Sequence, residues 1–359
     1  MKIIFSGGGT GGHIFPAIAI ANEFRKIRTD VKILFVGAKG KFEEKIVPEN
    51  NFELKTVNIT GLNKSVKGIL RLPFKILGSL NKCRKILNEF QPDVVVGTGG
   101  FASAPLIYSA VKKHIPSLIQ EGNSYPGKVT RFLAPKVNKV VVSFSDTINY
   151  LKRKDNVIMI SHPVRLSLKK TGRDEANKYF NLDPANKTIF IFGGSQGSVA
   201  INNCVNNILK DISGKKINVL WQTGKNDFEE TLNFARLFKN VSVKDFIKEI
   251  DIAYSAADLV ICRAGVSSIT ELAFLNKPSI LIPFPAAAEN HQEKNARSLE
   301  KENACVVILQ NEIEIKLFDN IINLINDSDK LSSLGKNISS FSDINSAEKI
   351  AEEILKLVK

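Results

Sequence analysis

The sequence predicts an α/β protein built from two Rossmann-like, doubly wound domains, and three observations carry that prediction. Short β-branched runs alternate with amphipathic stretches along the 359 residues, the pattern of parallel strands joined by crossover helices. Two of the runs end in matching Gly-rich loops, Lys2-Ile3-Ile4-Phe5-Ser6-Gly7-Gly8-Gly9 and Thr188-Ile189-Phe190-Ile191-Phe192-Gly193-Gly194-Ser195. Each opens a strand, loop and helix series of its own. The length suits about two domains at roughly 150 residues apiece.

In order, the first series of strands is expected at Ile3–Phe5, Ile33–Val36, Val94–Val96, Ser117–Ile119, Val140–Val142 and Val157–Ile160. The second is expected at Thr188–Phe192, Ile217–Trp221, Val241–Val243, Leu259–Cys262, Ser279–Pro283 and Cys305–Ile308. The join is placed near Ser161-His162-Pro163-Val164, because the chain then stays polar and charged until Lys187. Two such domains facing each other across a cleft would bring both Gly loops to it.

Hydrophobic residues make up 43% and charged residues 24%, an ordinary globular composition that excludes disordered and fibrous classes. No run approaches the ~18–20 apolar residues of a membrane-spanning helix, and Met1-Lys2-Ile3-Ile4-Phe5 turns Gly-rich too soon for a signal peptide. Four cysteines, Cys83, Cys204, Cys262 and Cys305, stand 121, 58 and 43 residues apart. Such spacing excludes a disulfide scaffold or a Cys-based zinc site and fits a reducing compartment. The net charge of +14 is confined to residues 1–160, which hold 25 basic and 11 acidic side chains, against 25 and 25 in residues 161–359. That asymmetry points to an acidic partner for the first half, nucleic acid or an anionic membrane, or else to a lysine-rich solvated surface. No aromatic stacking platform supports RNA.

The first loop, Ser6-Gly7-Gly8-Gly9-Thr10-Gly11-Gly12-His13, follows a strand and precedes a helical pattern. Here the backbone can approach an anion and a helix start offers free N–H groups. Gly7, Gly9 and Gly12 satisfy the dinucleotide fingerprint. A redox cofactor also wants an acidic residue at the end of the second strand; that strand ends Phe35-Val36-Gly37-Ala38, and no carboxylate follows until Glu43. His13, in the first helical turn, has its cation disfavoured by the helix dipole. It reads either as a general base or as a cap or phosphate ligand.

A second anion-type turn, Gly97-Thr98-Gly99-Gly100-Phe101-Ala102-Ser103, follows the strand Val94–Val96. The loop Gly193-Gly194-Ser195-Gln196-Gly197-Ser198 lacks the Gly-Lys-Ser/Thr ending of a nucleoside triphosphatase but still reads as a diphosphate cradle. In Cys262-Arg263-Ala264-Gly265-Val266-Ser267-Ser268-Ile269-Thr270-Glu271-Leu272, Glu271 falls near a helix start. It suits a ribose diol, or simple complementarity to the helix dipole. From Asn63 to Asn88 the chain carries Lys64, Lys67, Arg71, Lys75, Lys82, Arg84 and Lys85 with no acidic residue, interleaved with Ile69, Leu70, Leu72, Phe74, Ile76, Leu77 and Leu80. This mixture suits a helix lying on an anionic leaflet, or one packed on the sheet.

Together these residues resemble the MurG family of peptidoglycan UDP-N-acetylglucosamine transferases. Gly8 to His13 with Pro16, Gly97 to Pro105, Gly193-Gly194-Ser195-Gln196-Gly197, Arg263-Ala264-Gly265 to Glu271, and Asn290-His291-Gln292-Glu293-Lys294-Asn295-Ala296 match its motifs in order. The resemblance implies the GT-B glycosyltransferase fold, with domains at 1–162 (acceptor and membrane), 163–343 (donor) and a C-terminal helix at 344–359 crossing back onto the first. It implies an inverting transfer of GlcNAc from UDP-GlcNAc to the C4 hydroxyl of the MurNAc of lipid I, forming lipid II, with no metal and no other cofactor. His13 would be the catalytic base. Thr10, Gly11, Gly12, Asn123, Arg165, Ser195, Ile247, Glu271, His291 and Gln292 would bind UDP-GlcNAc. Within that set, Ser195 and Arg165 would meet the diphosphate, Ile247 the uracil through its backbone, Glu271 the ribose, and Asn123, His291 and Gln292 the sugar. Gly9, Gly99, Gly100 and Phe101 would form the acceptor and diphosphate loops.

A lipid acceptor favours the membrane reading of Lys67, Ile69, Leu70, Arg71, Phe74 and Lys75. The expected location is then peripheral, on the cytoplasmic face of the cell membrane. Expected partners are lipid I, an anionic surface and further cell-wall synthesis proteins, with no nucleic acid. Two departures stand out: Gln120 replaces a histidine that many members carry in His-Glu-Gln-Asn, and Phe101 stands where tyrosine is common. Rival readings are another GT-B transferase with a different lipid acceptor and a UDP-GlcNAc 2-epimerase, which needs no lipid.

Overall fold

The computed structural model describes residues 1–59, 66–165 and 168–358, and for 66–74 the backbone only. Contacts divide the chain into two compact units, Met1–Leu166 with Asp343–Lys359, and Ser167–Ser342.

The first unit holds seven strands: β1 (Lys2–Ser6), β2 (Lys32–Ala38), β3 (Glu53–Val57), β4 (Val94–Gly97), β5 (Ser117–Glu121), β6 (Lys139–Val142) and β7 (Val157–Met159). They pair in the order β3-β2-β1-β4-β5-β6-β7, every pair parallel. The crossovers carry helices α1 (Gly11–Ile27), α2 (Glu43–Glu49), α3 (Val66–Phe90), α4 (Ser103–Lys112) and α5 (Lys128–Leu133). Because helices cover both faces, the strands are continuous apolar runs rather than alternating ones. Ile3 and Phe5 point to the α1 side, while Ile4 points with Cys83, Ile86 and Leu87 of α3 to the other.

The sequence reading lacks β3. Its Glu-Leu-Lys-Thr-Val is a half-exposed edge strand, where alternation over five residues is too short to separate a strand from a loop. The runs at 157–160, 279–283 and 305–308 pair over only Val157–Met159, Ser279–Leu281 and Val306–Val307, since apolar character outlasts hydrogen bonding at strand ends.

The second unit repeats the plan with β8 (Lys187–Phe192), β9 (Ile217–Gln222), β10 (Val241–Lys244), β11 (Leu259–Cys262), β12 (Ser279–Leu281) and β13 (Val306–Val307), ordered β10-β9-β8-β11-β12-β13 and again wholly parallel. Its helices are α6 (Arg173–Phe180), α7 (Val199–Ser213), α8 (Phe228–Ala235), α9 (Ile250–Ala256), α10 (Val266–Phe274), α11 (His291–Lys301), α12 (Ile313–Asn326) and α13 (Ser328–Ser339). The chain then returns to the first unit as α14 (Ser346–Leu355), whose Ala347, Ile350, Ala351 and Ile354 join the core beneath α1.

Each sheet reverses its strand order once, between β1 and β4 and between β8 and β11. A crevice opens outside the carboxyl ends of the strands at such a switch point, where ligands of doubly wound folds bind. All four cysteines are buried, and burial pushes the Cys83 and Cys204 thiols up to about 12.

Ile350→Ala empties a fully buried position of α14 and is expected to cost about 2–5 kcal/mol in the first unit. Urea unfolding followed by fluorescence and circular dichroism checks this, with the second unit's transition unchanged.

Candidate active site

In the first unit the loops after β1 and β4 flank the switch point and interlock. Thr98 holds His13 at two points. Its Oγ1 donates to the His13 carbonyl at 2.6 Å, and its own carbonyl lies 3.1 Å from His13 Nδ1. A carbonyl only accepts, so Nδ1 carries the ring proton and Nε2 is the basic nitrogen of the neutral imidazole. Gly99 and Gly100 sit at φ +100° and +78°, and a side chain on either would strike the His13 ring or the Gly8 carbonyl. Thr10 precedes α1, and its carbonyl accepts from His13 and Ile14 N–H groups, while Gly11 and Gly12 make the first helical turn. Phe101 is half exposed.

The loop after β5 carries Asn123. The buried Glu121 carboxylate accepts from the Asn123 backbone and amide N–H groups (both 3.1 Å), from Gly127 N (3.1 Å) and from Thr130 Oγ1 (2.7 Å). Arg165 lies in the first unit, its guanidinium over the Phe15 ring of α1 at 4.9 Å.

In the second unit the loop 193–198 leads into α7 through Ser198, whose Oγ accepts from Ile201 N. Ser195 is exposed on this loop. Gln222, buried at the end of β9, donates from Nε2 to the Gly194 carbonyl (3.0 Å) and accepts at Oε1 from Ile247 N (2.8 Å). One side chain thus ties the Gly loop to the segment carrying Ile247. Arg263, after β11, donates to Ser198 Oγ (2.6 Å), Gln310 Oε1 (2.7 Å) and the Ile282 and Pro283 carbonyls. All four acceptors are neutral, and burial pushes the guanidinium down to about 10, leaving a positive charge behind the loop. Glu271 is buried on α10 and accepts at Oε2 from Tyr254 OH at 3.0 Å. At the start of α11, Gln292 Oε1 accepts from Phe284 N (3.0 Å) and His291 Nδ1 donates to the Ala288 carbonyl (2.8 Å).

Two family models match in tandem. The glycosyltransferase family 28 N-terminal domain covers residues 3–142, and the family 28 C-terminal domain covers 188–354. The chain belongs to glycosyltransferase family 28. Within the family it is 41% identical to a Flavobacterium psychrophilum protein over 361 residues (100% of this chain, 98% of that one) and 38% identical to one from Parabacteroides distasonis over 362 residues (99% and 98%). Both are named UDP-N-acetylglucosamine–N-acetylmuramyl-(pentapeptide) pyrophosphoryl-undecaprenol N-acetylglucosamine transferase. The fold is similar to that of Acinetobacter baumannii MurG, with TM-score 0.81, 24% identity and 99% of each chain covered. It is also similar to a Neisseria meningitidis UDP-GlcNAc 2-epimerase, with TM-score 0.67, 14% identity and 99% and 100% covered.

Four of the five matched motifs begin at the carboxyl ends of β1, β4, β8 and β11, and the fifth opens α11. Sequence reasoning nevertheless missed Gln222, Glu121 and Arg263. Arg263 lies inside a matched motif and Glu121 follows Gln120, but only their partners give them a role; Gln222 follows Trp221 with no local signal at all. The Asp-x-Asp triplet Asp327-Ser328-Asp329 lies at the start of α13, where Asp327 Oδ1 accepts from Lys330 N. Among the described residues no group of three His, Cys, Asp or Glu side chains is placed to hold a metal.

The side chains of Lys67, Ile69, Leu70, Arg71 and Phe74 lie outside the described residues, as does all of Lys64. Farther along α3, Lys75, Ile76 and Leu77 are exposed while Cys83, Ile86 and Leu87 are core. The later turns of the helix therefore pack on the sheet. A cluster the sequence analysis did not find lies on the neighbouring α4 and α5 side: Phe132, 57% exposed, stacks on Tyr108 and carries Lys136 Nζ 4.0 Å from its ring centre.

Gln120, where the family often has histidine, donates from Nε2 to Nδ1 of His162 at 3.1 Å. An imidazole thus returns to this place from a distant part of the chain. Burial, with a smaller contribution from His13, pushes His162 down to about 3. The unfolded chain takes up a proton below pH ~6.5 that the folded chain refuses, so stability is full above that pH and falls by about 1.4 kcal/mol per unit down towards pH 3. Urea denaturation between pH 4 and 7 is expected to show this slope flattened by one proton in His162→Gln.

Proposed function

We propose that the protein transfers N-acetylglucosamine from UDP-GlcNAc to the C4 hydroxyl of MurNAc in the undecaprenyl-diphospho-MurNAc-pentapeptide called lipid I, forming lipid II with inversion. The observation that carries this reading is the end-to-end relationship, at 38–41% identity, to transferases named for that reaction. The second unit binds the donor and the first binds the acceptor.

The acceptor hydroxyl oxygen forms its bond to the anomeric carbon as the bond from that carbon to UDP breaks. His13 Nε2 takes the hydroxyl proton, a role supported by the Thr98 carbonyl that fixes the proton on Nδ1. The leaving diphosphate meets the amides of the 194–196 loop around Ser195 at the α7 start, with the Arg263 charge behind them. Arg165 adds a further positive charge for that group. Glu271, steadied by Tyr254, receives the ribose hydroxyls. Ile247 N–H is already held by Gln222, so uracil is met by the Ile247 carbonyl. His291 and Gln292 contact the sugar, and Glu121 aims Asn123 at it. Thr10, Gly11 and Gly12 contribute to UDP-GlcNAc binding, and Gly99, Gly100 and Phe101 border the acceptor side.

Purified protein with radiolabelled UDP-GlcNAc, a lipid I analogue and EDTA is expected to place label in the lipid phase. Release of ManNAc without lipid label would replace this reading with an epimerase. His13→Ala is expected to lower kcat about 10²-fold or more with little change in KM for UDP-GlcNAc; a rise in KM alone reassigns His13 to binding.

The lipid acceptor and the positive first half support peripheral attachment to an anionic membrane through Lys67, Ile69, Leu70, Arg71, Phe74 and Lys75, continued by Ile76, Leu77 and Phe132. No described helix is long and apolar enough to cross a membrane. Leu77→Ser with Phe132→Ser, both at exposed positions, is expected to weaken sedimentation with phosphatidylglycerol vesicles about tenfold or more. Thermal stability is expected to stay unchanged.

A further inference from the structure

Glu43 has no part in the scheme above, yet it is fully buried and its carboxylate lies inside the first Gly loop. Oε2 accepts from Gly9 N at 3.0 Å and Oε1 from Ala38 N at 2.8 Å. The side chain therefore joins the loop after β1 to the end of β2. A side chain at Gly8 would run into this carboxylate, and one at Gly37 into the Glu43 Cγ. Both positions are glycine because Glu43 fills the space beside them.

In a Gly loop that cradles phosphate, the amides at the helix start turn towards the ligand. Here the Gly9 amide turns to a side chain of its own protein. We propose that Glu43 is a positioning residue whose carboxylate takes the place a substrate phosphate would take in the first Gly loop, fixing that loop as the support of His13. The acceptor diphosphate of the function proposed above, on which this rests, is then bound away from Gly9. A single N–H cannot serve both a carboxylate oxygen and a phosphate oxygen, and two anions at hydrogen-bond distance repel. The clamp reaches His13 through close contacts. Gly8, next to Gly9, has its carbonyl against Gly100, and the neighbouring Gly99 faces the His13 ring. Thr98, at the head of the same turn, holds that ring and its backbone.

The test is Glu43→Gln, which keeps the size but sets an NH2 group against one of the two N–H donors. Glu43→Asp, which shortens the reach, is made in parallel against a failure of the first variant to fold. The expected result is amide hydrogen exchange at Gly9 faster by about tenfold or more, with the rest of α1 unchanged. In the transfer assay kcat is expected to fall about tenfold or more, with KM for UDP-GlcNAc held within about twofold. Titration with pyrophosphate is expected to leave the Gly9 amide resonance unmoved in the unaltered protein and to shift it in the variants. Unchanged exchange at Gly9 overturns the proposal, as does an unchanged kcat. A Gly9 amide resonance that moves with pyrophosphate in the unaltered protein overturns it too. Were the unaltered protein to transfer no GlcNAc, the functional reading would fail, and the exchange measurement alone would still decide the role of Glu43.

Discussion

The double hold of Thr98 on His13 is the contact around which the first unit's site is arranged. It needs two loops that follow neighbouring strands of a parallel sheet to touch, and β1 and β4 are neighbours only because the strand order reverses between them. Their approach is so close that Gly99 and Gly100 have no room for a side chain. The same contact chooses the imidazole tautomer: with Nδ1 committed to a carbonyl, the basic nitrogen is fixed before any substrate arrives. Preorganisation of this kind places the energetic cost of orienting the ring in folding.

The second unit solves a different problem with the same topology. Its Gly loop leads into α7 through Ser198, whose Oγ also accepts from the buried Arg263 guanidinium. Arg263 makes four hydrogen bonds to neutral oxygens, so its charge is solvated by the protein and remains available to a diphosphate. Gln222 couples this loop to the segment around Ile247. The loop and that segment are therefore joined through one buried side chain. In the first unit, by contrast, the Gly loop is closed on the Glu43 carboxylate. Two loops alike in sequence are thus held by partners of opposite charge, Glu43 in one and Arg263 in the other.

The replacement of a family histidine by Gln120 illustrates how a local departure is absorbed by packing. His162, 42 residues away, brings its ring against the Gln120 amide, but burial keeps that ring neutral. A buried neutral imidazole orients a neighbour and does not exchange protons near neutral pH.

The fold class, the two strand–loop–helix repeats, the anion-type loops and His13 were legible in the sequence, because periodicity and Gly-rich turns are local properties of the chain. The edge strand β3 was not, since five half-exposed residues carry too little pattern. Glu43 appeared in sequence only as a carboxylate too late for a redox fingerprint, and Gln222 not at all. Their roles arise from hydrogen bonds spanning 34, 28 and 25 residues. By itself the sequence determined which residue types stand at the strand ends. Only the tertiary structure decided which amide faces a substrate and which faces the protein, because that depends on side chains delivered from other strands into a space a few ångströms wide.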